Sequence, residues 1–344
     1  MSELQRVLGL ALPVIQAPMA GVQDHALAAA VCNAGGLGSL PCAMFDGAGV
    51  RRELAALRAA TDRPFNVNFF CHAPALVDPA RDAVWRAALA PYFRELGVDP
   101  ASIVPGPGRQ PFEGGSIELL DEFRPAVISF HFGLPDPALL ARARHCGARV
   151  IASATTVEEA LWLERHGVDA IIAQGLEAGG HRGHFLSDDL SRQAGLFALL
   201  PQVVRAVRVP VIAAGGIADA AGAKAALSLG AALVQVGTAY LLCPEATTSR
   251  IHRDALAGDA ARHTALTRLF TGRPARGIVN RLMRELESAG VAPGFPLATA
   301  AIAPLRKAAE ARGSGDFSPL WSGQNASGCR AVAAAELTRS LAAG

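Results

Sequence analysis

The stretch AIIAQGLEAGGHRG, residues 170–183, decides the fold that we expect for this chain. It opens with an apolar run over residues 170–173, which lacks polar alternation and is typical of a strand covered on both faces of a parallel sheet. Gln174 places an amide at the end of that strand, and the loop behind it holds four glycines. Since glycine lets a backbone approach a bound group closely, the stretch predicts a parallel strand that ends in a ligand-binding loop.

The same pattern of a short apolar run and a helical stretch recurs along the chain. The eight candidate strands span residues 14–19, 36–40, 64–70, 126–132, 149–155, 170–174, 210–216 and 233–241. Eight strands that alternate with helices predict an α/β fold, the (β/α)8 TIM barrel. A doubly wound sheet is the structural alternative, but its Gly-rich phosphate turn is missing after the first strand, where PMAG follows at residues 18–21.

The pattern divides the chain into a barrel over residues 1–243 and a tail over residues 244–344. Within the barrel, residues 73–125 are too long for a simple connection. We expect them to hold a helix over 85–96 and a loop over 104–115 that serves as a lid or a dimer contact. The tail is expected to be an added helical segment that covers the active-site end of the barrel. Its predicted elements are helices over 249–257, 260–270, 280–289 and 301–311 and a loop over 273–277.

Composition argues against several classes of protein. Of the 344 residues, 51% are hydrophobic and 18% are charged, so the chain can bury a large core. The net charge of +2 argues against a nucleic-acid partner. The six cysteines form no CxxC pair and no zinc-site spacing, so we expect free thiols and no metal. No apolar run reaches about 18 residues, and Pro13 interrupts the apolar N-terminal stretch, so we expect a cytoplasmic protein without a membrane span.

Polar side chains gather where the predicted strands end. They include Asn66, Asn68, His131, Ser153, Thr155, Gln174 and Gln235. Active sites of TIM barrels lie at this end, and polar groups inside apolar strands cost free energy unless they find partners. The loops after the seventh and eighth strands commonly hold a phosphate. Here Gly216 and Gly237 let the backbone come near and Thr238 offers a hydroxyl, which indicates a ligand that bears a phosphate.

His131 is the candidate general base. It lies near the end of the fourth strand between two phenylalanines, and apolar neighbours favour the neutral imidazole that can accept a proton. His181, in the glycine-rich loop, is the second candidate. Five other histidines fall in helical stretches and are expected at the surface: His25, His145, His166, His252 and His263. The chain has no GxSxG elbow, so hydrolysis is not supported.

Six motifs, in this order, resemble the nitronate monooxygenases, formerly called 2-nitropropane dioxygenases. They are QAPM at 16–19, NVN at 66–68, SFHFG at 129–133, AQGLEAGGHRG at 173–183, AAGGI at 213–217 and QVGTA at 235–239. AQGLEAGGHRG together with SFHFG looks like the class I branch of the family. The likeness covers the whole barrel and continues into the tail.

The resemblance implies a TIM-barrel flavoprotein that holds FMN without a covalent bond. By position, Met19 and Asn68 would line the flavin ring, and Gln174 and Gly179 would contact the flavin or its ribityl chain. The residues that the resemblance places at the ribityl phosphate are Gly216, Gln235, Gly237 and Thr238.

The resemblance also implies the reaction. The family oxidises alkyl nitronates, such as propionate 3-nitronate, with O2 to a carbonyl compound and nitrite or related nitrogen oxides. His131 matches the family's catalytic base and would be needed chiefly for a neutral nitroalkane, whereas His181 and Arg182 would lie near the substrate and hold an anion. We therefore expect a small-molecule nitronate or nitroalkane and O2 as partners, no nucleic acid, no membrane, and a monomer or homodimer.

The tail departs from the class I pattern, which carries tyrosines and a lysine after a Pro-Leu-Ala segment. Here FPLA at 295–298 is followed by Thr299, although Lys307 is present. The only tyrosines are Tyr92 and Tyr240, so the lid of the substrate pocket is expected to differ. Two alternatives stay open: an NAD(P)H-dependent FMN reductase of quinones or enoyl thioesters on the same scaffold, and a non-catalytic flavin or phosphate binder. The missing dinucleotide fingerprint weighs against the reductase.

Overall fold

The computed structural model describes residues 1–104 and 108–343 and confirms the TIM barrel. In chain order the strands are β1 (Val14–Gln16), β2 (Gly38–Pro41), β3 (Phe65–Phe70), β4 (Val127–His131), β5 (Arg149–Ala154), β6 (Ala170–Gln174), β7 (Gly180–His181), β8 (Val211–Ala214), β9 (Leu233–Val236), β10 (Thr264–Thr267) and β11 (Ala275–Ile278). Eight of them form one parallel sheet in the order β1-β9-β8-β6-β5-β4-β3-β2. A parallel bridge between Ile15 and Leu37 closes the ring.

The barrel strands agree with the predicted runs but several end earlier. β6 has the predicted bounds, whereas β1 ends at Gln16 and β9 at Val236, where a 3-10 helix over Thr238–Leu242 follows. The last residues of these runs leave the sheet because Pro18 has no amide to donate and Gly237 turns the chain. The ends of the apolar runs thus become the loops of the site.

The helices follow the strands in alternation. In chain order they are α1 (Glu3–Val7), α2 (His25–Asn33), α3 (Gly47–Ala60), α4 (Pro79–Leu96), α5 (Gly114–Phe123), α6 (Pro137–Arg144), α7 (Val157–Arg165), α8 (Leu196–Ala206), α9 (Ala220–Ser228), α10 (Arg250–Ala257), α11 (Arg281–Leu286), α12 (Thr299–Ala311) and α13 (Ala334–Leu341). Four of these helices begin with a side chain that accepts a hydrogen bond from a backbone amide of the first turn. These N-cap residues are Asp24 of α2, Asp46 of α3, Thr156 of α7 and Asp219 of α9. Of the helices described, none is long and apolar enough to cross a membrane.

The interior of the barrel changes from apolar to polar along its axis. A buried cluster fills one end, with Ile15, Val127, Ile172 and Leu233 from the strands and Leu8 next to α1. Towards the carboxyl ends the buried side chains are polar: Ser39, Asn66, Asn68, Ser129, Ser153 and Gln174. Because polar groups need partners when buried, this end of the barrel is where a ligand is expected.

The long connection after β3 packs against the tail. Trp85 and Phe93 of α4 share a second buried core with Leu282, Leu305 and Phe317. Of the predicted loop over 104–115, residues 105–107 lie outside the described residues. After them, the amide of Phe112 donates to the carbonyl oxygen of Phe70 at 2.7 Å, so the loop returns along β3.

Two predictions for the tail are wrong. Residues 260–270 do not form a helix, because a 3-10 helix over Asp259–Arg262 is followed by β10. Residues 273–277 are not a loop throughout, because β11 begins at Ala275. The two strands pair antiparallel, and β11 also pairs with β7 of the glycine-rich loop. This pairing between distant parts of the chain overrides the local helical pattern.

The tail also contains a helix that the sequence did not indicate. Ala334, Leu337 and Leu341 of α13 are buried in the core that lies between the strands and the outer helices. The hydroxyl of Thr338 in this helix lies 2.9 Å from that of Tyr240. The tail therefore leaves the carboxyl end of the barrel and returns to its outer wall.

Candidate active site

A cleft opens at the carboxyl ends of the barrel strands, with an empty volume of about 1330 Å³ counted out to its mouth. The residues that the sequence assigns to catalysis and to the flavin line it: Met19, Asn68, His131, Gln174, Gly179, His181, Gly216, Gln235, Gly237 and Thr238. Arg182, Asn66 and Thr155, which were also predicted at this end, do not. These residues come from strands and loops spread over more than two hundred positions. A concave site with few, converging polar groups is the usual form of a small-molecule site.

The imidazole of His131 is held on both sides. Its Nδ1 lies 3.0 Å from Ser153 Oγ, and its Nε2 lies 3.2 Å from the backbone carbonyl oxygen of His181. Because a carbonyl only accepts, we assign the proton to Nε2, which leaves the lone pair on Nδ1 facing the serine hydroxyl. Phe132, next in the chain, has a φ of 72°, an uncommon conformation for a bulky residue that is found at functional sites.

The histidines of the cleft are neutral at pH 7. Burial lowers the pKa of His131 to about 3, although the bond to the His181 carbonyl opposes the shift. Burial also lowers the pKa of His252 to about 4 and holds that of His181 well below its usual value. The rings of Phe70 and Phe132, with centroids 5.9 and 4.6 Å from that of His131, supply part of the apolar surroundings that the sequence predicted.

Gln174 holds the glycine-rich loop in place. Its Nε2 donates to the carbonyl oxygen of His181 at 3.0 Å, and its Oε1 accepts from the amide of Gly183 at 2.8 Å. Position 183 requires glycine because a Cβ there would lie 2.7 Å from Cε1 of His131. The glycine is therefore what lets the loop pass directly over the imidazole.

His181 and Arg182 point in different directions. Nε2 of His181 lies 2.9 Å from Thr271 Oγ1, which itself donates to the Arg273 carbonyl, so we assign the Nε2 proton to the histidine. Arg182 is fully buried and donates to the carbonyl oxygens of Gln174 and Gly175 at 2.9 and 2.8 Å. The expectation that Arg182 holds a substrate anion is wrong, because its guanidinium instead stabilises the loop from behind.

The opposite side of the cleft collects free backbone amides. Among the described residues, no group accepts a hydrogen bond from the amides of Gly216, Gly237 or Thr238. Gly216 has a φ of 71°, which favours glycine, and the side-chain Oε1 of Gln235 is buried without a partner in the part of the chain described. Converging free amides form an anion site without any charged side chain.

Residues 322–325, named here the tail clamp, complete this side of the cleft and were not predicted. The amide of Gly323 donates to Thr238 Oγ1 at 2.9 Å, and Asn325 Nδ2 donates to the carbonyl oxygen of Gly216 at 3.1 Å. Between them the amide of Gln324 donates to the carbonyl oxygen of Glu177 at 2.9 Å. The tail clamp thus joins the loops after β6, β8 and β9. A glycine flanked by polar residues was its only signal in the sequence.

Other lining residues were also missed or misplaced. His252 was expected at the surface, but it is buried, lines the cleft and lies with Nε2 3.1 Å from the carbonyl oxygen of Trp321. The prediction was wrong because the face of α10 that carries His252 packs against a later part of the tail, around Trp321. Arg109 lines the cleft from the long connection after β3. The described residues contain no cluster of His, Cys, Asp and Glu side chains placed to hold a metal ion.

The chain matches known proteins along its whole length. A sequence model of the family described as nitronate monooxygenase matches residues 1–344. The chain belongs to the nitronate monooxygenase family. A nitronate monooxygenase of Pseudomonas aeruginosa is 44% identical over 339 residues, which cover 98% of this chain and 97% of the relative. One of Paraburkholderia phytofirmans is 43% identical, covering 97% and 92%. The recognition from the six motifs is confirmed, and the chain is an oxidoreductase of this family.

Solved structures agree with the family. A nitroalkane oxidase from Streptomyces ansochromogenes superposes with a TM-score of 0.89 at 40% identity, covering 98% of this chain and 97% of the other. FabK from Thermotoga maritima superposes with a TM-score of 0.74 at 26% identity, covering 99% and 94%. The likeness to both extends over the barrel and the tail.

The chain's two tyrosines and Lys307 lie away from the cleft. Neither tyrosine lines it, because Tyr92 is buried in the core between α4 and the tail, where its hydroxyl donates to Glu285, and Tyr240 is buried against α13. Lys307 is exposed on α12 and also lies outside the cleft lining. Nη1 of Arg109 donates to the hydroxyl of Thr299, the residue after the Pro-Leu-Ala segment, at 3.3 Å.

Proposed function

We propose that this protein is an FMN-dependent nitronate monooxygenase that oxidises alkyl nitronates, such as propionate 3-nitronate, with O2. The proposed products are a carbonyl compound and nitrite or related nitrogen oxides. The observation that carries the proposal is the convergence of three features on one cleft: free backbone amides on one side, neutral histidines on the other, and the family's motif residues between them. This is the arrangement needed by a phosphate-bearing cofactor and a small carbon acid.

The amide side of the cleft fits the phosphate of FMN. The unpaired N–H groups of Gly216, Gly237 and Thr238 are donors that a phosphate accepts, and the buried Oε1 of Gln235 needs a donor such as a ribityl hydroxyl. Gly179 lines this side of the cleft, and a Cβ there would lie 2.5 Å from the amide nitrogen of Gly323, so glycine lets the tail clamp close over this loop. We therefore assign these residues to the phosphate and ribityl chain.

The centre of the cleft fits the flavin ring. Met19 and Asn68 lie there, and Asn68 is held by two bonds from its Nδ2 to the carbonyl and hydroxyl oxygens of Ser129, at 3.1 and 3.0 Å. The amide of Met19 donates to Gln23 Oε1 at 2.8 Å, which fixes the loop after β1. When bound, FMN supplies the electron chemistry between nitronate and O2. The protein supplies the position of the substrate and the field around it.

The two histidines have different capacities as bases. In His131 the lone pair on Nδ1 accepts from Ser153, so this hydroxyl must turn before the ring can take a proton from the carbon of a neutral nitroalkane. His181 carries its proton on Nε2, and its Nδ1 has no partner among the described residues. An ionised nitronate has already lost that proton. The proposed function therefore requires His131 for nitroalkanes and not for nitronates.

An anaerobic mixing experiment tests the proposal. The purified protein is expected to be yellow and to release FMN on denaturation. Mixing it with propionate 3-nitronate without O2 should bleach the flavin absorbance, and O2 should restore it. Bleaching by NADH or NADPH and not by nitronate would identify the alternative, an FMN reductase of quinones or enoyl thioesters. A protein that binds FMN but responds to neither reagent would be a non-catalytic flavin binder.

A further inference from the structure

Arg109 is the cation of the cleft with the most unused hydrogen-bonding capacity. Its partly buried side chain lines the cleft, and Nη1 donates to Thr299 Oγ1 at 3.3 Å. The Thr299 hydroxyl donates in turn to the carbonyl oxygen of Phe270 at 3.1 Å, so its lone pairs are directed to the guanidinium. A guanidinium has five N–H donors. Among the described residues, the acceptor for the Arg109 guanidinium is the neutral Thr299 hydroxyl.

The charge of Arg109 is not compensated by the part of the chain described. Burial alone lowers its pKa to about 10, with no contribution from an acidic neighbour, so it stays charged at neutral pH. A partly desolvated cation without a counter-ion is costly unless an anion joins it.

The second cation at this end has other partners. Arg273 lies over the ring of Phe132 at 4.1 Å and donates to the carbonyl oxygen of His184. His72, His131 and His181 have lowered pKa values and add no positive charge at pH 7. Arg109 is thus the group with donors available for a ligand.

The ring of Phe295 lies beside both Arg109 and His181. The guanidinium carbon lies 5.7 Å from the centroid of this ring, and the imidazole of His181 lies 5.4 Å from the same centroid. A substrate whose reacting end contacts His131 and His181 therefore reaches Arg109 only through a second group a few bonds away. A planar guanidinium binds a carboxylate through two parallel hydrogen bonds.

We propose that Arg109 is a specificity-determining residue that binds a remote carboxylate of the substrate and so favours nitronates of short carboxylic acids over alkyl nitronates of similar length. This inference rests on the proposed function.

The test compares two substrates in the FMN-bound enzyme. Arg109→Gln should lower kcat/KM for propionate 3-nitronate by about 10- to 100-fold, mainly through KM, and leave propyl-1-nitronate within about twofold. Arg109→Lys should restore part of the loss, since it keeps the charge and loses the bidentate geometry. Lys307→Gln, an exposed change on α12, is the matched control and should change neither substrate.

Direct binding separates this inference from the proposed function. Titration calorimetry with 3-nitropropionate, whose carboxylate is intact, should give a Kd that rises about 10-fold or more in Arg109→Gln, whether or not the enzyme turns over a nitronate. An equal loss with both substrates, or an unchanged Kd, would overturn the role of Arg109. If the unaltered protein oxidises no nitronate but the Kd still depends on Arg109, the proposed function fails and the carboxylate site stands.

Discussion

Nε2 of His131 lies 3.2 Å from the backbone carbonyl oxygen of His181, and the same carbonyl accepts a second hydrogen bond from Gln174. The candidate base and the glycine-rich loop are therefore one hydrogen-bonded unit. This arrangement ties the tautomer of His131 to the position of the loop, because loss of the carbonyl would free the Nε2 proton. The predictions below separate the chemical from the structural consequences of this unit.

Replacement of His131 should affect one substrate class only. His131→Gln keeps a donor for the His181 carbonyl but removes the imidazole that accepts a proton. Turnover of neutral nitroethane should fall at least about 100-fold, a usual range for loss of a general base, while turnover of ethyl nitronate stays within a few-fold. Steady-state O2 consumption with each substrate measures this. The exposed His145→Gln is the control, and an unchanged rate on nitroethane would remove His131 from the role of base.

Adding one methyl group at Gly183 should displace the base. In Gly183→Ala the new Cβ would lie 2.7 Å from Cε1 and 3.1 Å from Nδ1 of His131. We expect a stability loss of about 1–3 kcal/mol and a larger fall in turnover of neutral nitroalkane than of nitronate. Gly115→Ala, where no atom lies within 4 Å of the new Cβ, is the matched control. Equal effects on both substrates would show that Gly183 supports the loop and not the base.

Loss of the Thr238 hydroxyl should weaken FMN binding. Thr238→Val leaves the amide of Gly323 without its acceptor and loosens the tail clamp. The Kd for FMN is expected to rise about tenfold, the effect of one lost hydrogen bond in a buried site. Fluorescence titration of the protein stripped of cofactor measures it, and the exposed Thr247→Val serves as control. A Kd unchanged in Thr238→Val would argue against this side of the cleft as the phosphate site.

Stability should fall on mild acidification. Burial lowers the pKa of His131 to about 3 and those of His72, His184 and His252 to about 4. Since the unfolded chain binds these protons near pH 6.5, the folded state is favoured fully above that pH and loses stability as the pH falls towards 4. The melting temperature should therefore decrease between pH 7 and pH 5.

A single histidine tests the sign of this effect. His252→Gln should lower by about one the number of protons taken up on unfolding at pH 5, whereas the exposed His263→Gln should not. Proton uptake follows from melting temperatures measured as a function of pH. A melting temperature that rises between pH 7 and pH 5 would contradict the buried, neutral state of these histidines.

The barrel and the cleft were predictable because their determinants are local. β6 appears in the sequence as an apolar run of the same length, and the residues predicted for catalysis and for the flavin reach the cleft because the carboxyl ends of parallel strands meet there. Arg182 was misassigned because the position of a residue in a loop does not give the direction of its side chain. Its guanidinium donates to a backbone carbonyl oxygen behind the loop and does not face the cleft.

The remainder depends on contacts between distant segments. β11 forms a strand because it pairs with both β10 and β7. No local sequence pattern predicts these two partners. Asn325 reaches Gly216 across 109 positions of the chain. Arg109 meets Thr299 across 190. Single-sequence patterns carry no information on such pairs, so the tail clamp and the cation of the cleft emerged only from the structure.

The tail clamp has a consequence for biosynthesis. Residues 322–325 are translated after all eight barrel strands, yet they hold the loops that carry the free amides of Gly216 and Thr238. A nascent chain whose barrel has already formed is thus expected to lack a finished cofactor pocket. We therefore expect FMN to bind only after the barrel has formed. A ribosome-stalled fragment that ends before residue 322 should stay colourless when FMN is added.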